Sequence, residues 1–144
     1  MKTVKSEKGQ SLVEMAISFV VILVLLVGTV EFGMAFFQYI QLRDAAQEGA
    51  LYGSVYPADP SGIETRTRGA SGTPIDLTVS SGANAVTVSV EYIGGLMCEG
   101  NGNAVKVTVK YNHTIFMPFI GRIIGKTILP LSASVTDTIL SPAC

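Results

Sequence analysis

The chain of 144 residues has no tryptophan, a single histidine and two cysteines, and only 15% of its residues are charged. The lone histidine, His113, has neither acid nor cysteine beside it, so no catalytic pair and no metal-ligand spacing is offered. It follows a strand-like stretch and reads as a surface or strand-end residue. No glycine loop suited to cradling phosphate is present, and no cofactor, no metal and no enzymatic activity are expected. The formal charge is −1 with basic residues scattered along the chain. That balance and the missing tryptophan argue against nucleic acid as a partner. Two further absences are local. No proline occurs between Met1 and Tyr56, and no charge occurs from Met15 to Val30.

Together these two gaps predict one long helix. At about 1.5 Å per residue, some 20 residues cross a bilayer core of about 30 Å, and the charge-free run with its flanks has that length. Without a proline to break it, the helix continues past Glu31 into water. There Phe32, Phe36, Tyr39, Leu42, Ala46, Gly49 and Gly53 recur at three- and four-residue steps, while Gln38, Gln41, Asp44 and Glu48 fall elsewhere. This spacing predicts an amphipathic stripe, aromatic near the membrane and small at the far end, on which another element packs. Gly49-x-x-x-Gly53 would suit a helix pair inside lipid, but its position beyond the span favours packing within the molecule. Lys2, Lys5 and Lys8 precede the apolar run against one acid, Glu7. Such a bias holds the N-terminus in the cytoplasm and exports the remainder. A secretory signal has the same basic-then-apolar layout, with a weak small-x-small site at Gly33-Met34-Ala35.

At Gly9-Gln10-Ser11-Leu12-Val13-Glu14 a short basic leader ends in glycine and an acid stands at the fifth position of the apolar helix. This resembles the cleavage and assembly signature of type IV pilin-like proteins. The wider run, GQSLVEMAISF, VEFGMAFFQY and DAAQEGALYGS, resembles the TadE-like family of minor pilins of the tight-adherence (Tad) pilus system. The likeness extends through Ser54; the remainder agrees only in character, as a short β-rich tail. The resemblance implies cleavage by a prepilin peptidase between Gly9 and Gln10. It also implies other pilin or pseudopilin subunits and a pilus assembly platform as partners. Cleavage would free an α-amine on Gln10 to meet Glu14 of the same or a neighbouring subunit. A carboxylate in an apolar helix core costs about 2.5–3.5 kcal/mol on insertion scales, so such a partner matters. The alternative is that Glu14 snorkels to the cytoplasmic interface. Glu31 falls where the helix leaves the far face of the membrane, and solvation by water suffices for it.

After Gly53 the composition changes abruptly. Pro57, Pro60 and Gly62 end the helix, and a short helix or none follows in the polar stretch from Glu64 to Thr73. From Pro74 the period becomes two, Ile75, Leu77 and Val79 facing one way, which predicts a strand. Ala85–Tyr92 and Ala104–Tyr111 share a template of three valines and a tyrosine on one face, which predicts a hairpin. Matching face to face requires odd-sum pairing, and setting Glu91 against Lys106 adds a charge pair. Leu131 to Ile139 is a fourth candidate strand. The apolar segment from Ile115 to Gly125, broken by Pro118, is too short to span a bilayer. It reads as a loop buried under the sheet or as a surface meeting membrane or another subunit. Asn112-His113-Thr114 fits a glycosylation acceptor, a pattern common by chance.

Cys98 and Cys144 both fall on the exported side, where a disulfide is permitted. Closing that loop of about 47 residues would stabilise the fold by about 4 kcal/mol in the chain-entropy model. Two separate thiols are the other reading.

The expected architecture is α+β: a leader at 1–9, a transmembrane helix at 10–31, its amphipathic extension at 32–53, and a small antiparallel sheet of about four strands within 54–144. The expected protein is a single-pass membrane component of a pilus or secretion machine, its N-terminus cytoplasmic and its outer domain extracytoplasmic. Its rivals are a permanently anchored surface domain that binds or adheres without entering a filament, and a secreted binding protein cut at Ala35.

Overall fold

The computed structural model describes residues 7–70, 72–94, 103–117, 121–122 and 124–140, and of residues 7 and 8 the backbone only. Helix α1 runs unbroken from Glu7 to Val55, as the missing proline requires. It contains one stretch long and apolar enough to cross a membrane, and no other described residue covers that stretch. A second helix, α2 (Pro60–Arg68), follows after a tight turn. Its start is set by Asp59, whose side chain accepts the Gly62 N–H at 2.9 Å, and by Pro60 in the first turn.

Strands β1 (Val86–Ile93), β2 (Ala104–Thr114) and β3 (Ile128–Thr138) form one antiparallel sheet with β2 in the centre. The register of β1 on β2 is the odd-sum one: Glu91 faces Lys106, Tyr92 faces Val105 and Val86 faces Tyr111. Lys106 Nζ lies 3.6 Å from Glu91 Oε2 on the solvent side, a pair contributing at most about 1 kcal/mol. The register is set mainly by the other face, where Val105, Val107 and Val109 are fully buried and a one-residue slip would turn them to water. Pro130, which cannot donate to a ladder, lies on β3 at the sheet edge.

Among the described residues the sheet has three strands, against the expected four or so. The segment from Ile75 to Val79 buries Ile75 and Leu77 and half-buries Val79, the three side chains predicted to face one way, but adds no strand. Its backbone is claimed by side chains instead. Gln41 accepts from Ile75 N–H and donates to Ile75 C=O, both at 2.7 Å, and Arg68 donates to Leu77 C=O at 2.8 Å. Asp76 turns the chain by accepting from the Thr78 N–H at 3.0 Å. A period of two thus marked the facing of this segment correctly, while its hydrogen bonds go to the helices.

The core lies between the valine face, α1 and α2. Leu42, Ala45, Ala46 and Ala50 of α1 and Ile63 of α2 are fully buried there. Gly49 and Gly53 let this layer close: a Cβ on Gly49 would overlap the Thr67 hydroxyl, and one on Gly53 would stand 3.0 Å from Ile63 Cδ1 and 3.1 Å from Val105 Cγ1. The Gly-x-x-x-Gly pair therefore serves packing within the molecule. Nearer the membrane the expected stripe is misplaced. Phe32, Phe36 and Tyr39 are exposed, whereas Glu31, Ala35, Gln38 and Gln41 are buried, a rotation of about 100° around the helix.

Candidate functional site

Gly9, Gln10 and Glu14 all lie on α1, with the Gly9–Gln10 bond already inside the helix and all three residues exposed. Four residues along a helix is one turn, so Gln10 and Glu14 share a face. Among the described residues Glu14 has no hydrogen-bonding or ionic partner, and the apolar side chains around it, Leu12, Val13 and Ile17, are likewise uncovered. Cys98 and Cys144 lie outside the described residues.

The most highly built polar cluster is one that hydropathy and spacing did not expose. Glu31, expected in water, is 6% exposed, and His113, expected at the surface, is 3% exposed. His113 Nε2 lies 2.9 Å from Glu31 Oε1. The same carboxylate accepts the backbone N–H of Phe116 on Oε1 at 3.1 Å and that of Met117 on Oε2 at 3.3 Å. An ionised carboxylate can only accept, so beside it the facing His113 nitrogen is the donor. A buried carboxylate that receives three N–H donors is compensated for the water it has lost. One signal in the sequence did point inward: His113 continues the phase of Val105, Val107, Val109 and Tyr111 on β2. What periodicity could not supply was its partner, 82 residues away.

This cluster ties the connection between β2 and β3 to the helix at the level where the charge-free run ends. The described part of that connection is not buried under the sheet, since Phe116 is 76% and Ile124 58% exposed. On the outer face of α1, Phe32 and Phe36 stack at 6.1 Å with Phe37 exposed beside them. At the far end, Tyr52 donates to Asp59 at 3.0 Å and Tyr92 donates to Pro57 C=O at 2.6 Å, holding the turn between the helices. Among the described residues no group of three or more His, Cys, Asp or Glu is placed to hold a metal ion.

The arrangement, an uncovered apolar helix half continuous with a small domain packed on its other half, is consistent with a single-pass membrane anchor. Residues 9–51 match the family model described as TadE-like protein, which bears out over the helix the resemblance carried by its motifs. The matched segment is less than a third of the chain and stops before α2 and the sheet. No curated protein matches the chain. No solved structure matches it either.

Proposed function

We propose that this chain is a minor pilin or pseudopilin of a Tad-type pilus or secretion machine, with a structural rather than a catalytic role. The observation that carries the reading is the division of α1. The TadE-like match runs along both halves; among the described residues the N-terminal half presents an uncovered apolar surface with an unpaired carboxylate at Glu14, and the other half is occupied by the chain's own domain. Such a surface is suited first to lipid and then to the helices of neighbouring subunits. On this reading a prepilin peptidase cuts between Gly9 and Gln10. The freed amine, one turn from Glu14, then supplies the charge partner that a packed helix core requires. The leader stays cytoplasmic, the domain is exported, and Cys98 joins Cys144.

Mass spectrometry of the protein from its native membrane tests the cleavage, and co-purification with pilus components tests assembly. Wild type is expected to begin at Gln10, and Gly9→Leu to remain full length. Glu14→Leu is expected to be processed and inserted normally yet to lose co-purification, because insertion gains from removing a charge while assembly loses a partner. An intact Met1 terminus in wild type would instead identify a permanently anchored surface domain. Non-reducing peptide mapping of the exported protein is expected to recover a peptide linking Cys98 to Cys144.

A further inference from the structure

Glu31 binds the backbone of Phe116 and Met117, so the β2–β3 connection must sit wherever the helix carries Glu31. Met15–Val30 is free of charge, and a bilayer core matched to that run ends at the level of Glu31. The connection is closed at the same level by Ile115 N–H donating to Thr127 C=O at 3.0 Å. Around it the surface is apolar: Phe116 is 76%, Ile124 58% and Ile128 49% exposed, and Phe32 on the adjoining helix is 70% exposed. From Ile115 to Thr136 the only charged residues are Arg122 and Lys126, with no acid among them, and both cations are exposed. Phenylalanine and isoleucine beside cations that can reach phosphate is the composition of a surface seated in the headgroup region.

We infer that this end of the sheet is a second membrane contact, with Phe116 and Ile124 seated at the boundary of headgroups and acyl chains and Arg122 and Lys126 directed to anionic headgroups. The inference rests on the reading of α1 as a membrane span. Lipid is the occupant because the Glu31 cluster sets the height of this surface relative to the charge-free run, and the surface is continuous with the lipid-facing helix. The domain is thereby held against the bilayer by the helix on one side and the connection on the other. The carboxylate that fixes the connection is kept out of lipid by His113.

The chain has no tryptophan, so a single introduced one reports without background. Phe116→Trp in the full-length protein, reconstituted in phosphatidylcholine–phosphatidylglycerol vesicles carrying lipids brominated in the upper acyl chain, is the measurement. Ile17→Trp in the charge-free run and Tyr56→Trp at the far end of the domain are the references. Phe116→Trp is expected to emit to the blue of Tyr56→Trp and to lose intensity to the brominated lipid, as Ile17→Trp does. Quenching of Ile17→Trp with none of Phe116→Trp would overturn the second contact while leaving the span intact. Absence of quenching at Ile17→Trp would overturn the span itself. A blue-shifted Phe116→Trp that brominated lipid does not quench, and that moves to the red as protein is diluted in lipid, would assign the surface to a second copy of the chain and overturn the lipid reading.

Discussion

Glu31 of the long helix and His113 of the central strand meet at 2.9 Å, both almost fully buried, and the same carboxylate receives the backbone of Phe116 and Met117. The bonds fix an order of damage. Glu31→Ala leaves the buried His113 N–H and the part-buried amides of Phe116 and Met117 without their acceptor and should destabilise the outer domain by about 3–5 kcal/mol, more than the loss of one hydrogen bond to a charged group. His113→Ala leaves the carboxylate its two backbone donors and should cost less, about 1.5–3 kcal/mol. Glu31→Gln keeps the size but turns an amide N–H₂ toward one of the donors, so it should also destabilise. Denaturant unfolding of the detergent-solubilised chain checks this order, and a larger loss for His113→Ala than for Glu31→Ala would contradict it.

Gln41 replaces a strand neighbour for Ile75 by satisfying both of its backbone groups. Gln41→Leu fits the apolar surroundings but leaves a buried N–H and C=O without that partner, at a cost of about 1–3 kcal/mol. Hydrogen exchange should show the Ile75 amide losing protection while Val107, inside the sheet, retains it. Equal loss at both positions would mean that the clip is not local.

Gly49 is needed for closeness rather than for backbone freedom. Alanine there gains about 1 kcal/mol of helix propensity but collides with the Thr67 hydroxyl, which donates to Ile63 C=O. Overpacking of this kind costs about 1–3 kcal/mol, so Gly49→Ala should be destabilising overall. Combining it with Thr67→Ala removes the colliding atom, and thermal unfolding of the double variant should show less than the sum of the single losses.

Asp59 should make the start of α2 sensitive to acid. Its carboxylate is held below the ordinary aspartate range by the Ser61 hydroxyl first, then by the Gly62 N–H and the Tyr52 hydroxyl. A depressed carboxyl stabilises the fold above the unfolded value, and that contribution is lost as pH falls through the folded value. The Gly62 amide should therefore shift in an NMR titration with a midpoint below that of a free aspartate. Asp59→Asn keeps a good cap and should abolish the titration; a midpoint in wild type above the ordinary range would contradict the bonding.

Local properties of the chain were legible without coordinates. An unbroken helix follows from the missing proline, and a candidate membrane span follows from the uncharged run, because both depend only on neighbours in sequence. The β1–β2 register was also legible, since two valine templates with one buried face leave few pairings that keep Val105, Val107 and Val109 from water. The motifs of α1 were sufficient to reach the TadE-like family, whose match ends with that helix.

The tertiary structure decided what depends on distant partners. Hydropathy assigns polar residues outward, so it turned Phe32 and Phe36 toward the domain and Glu31 and Gln41 away. The fold reverses this because a buried polar group costs little once its hydrogen bonds are made, and His113, Phe116, Met117 and Ile75 make them. The same reason explains the absent fourth strand, where the Gln41 and Arg68 side chains take the bonds a ladder would have used. Periodicity along the chain records which way a residue would prefer to face in isolation. Only the assembled fold brings a strand histidine to a helix carboxylate and so determines which face of the helix carries the domain.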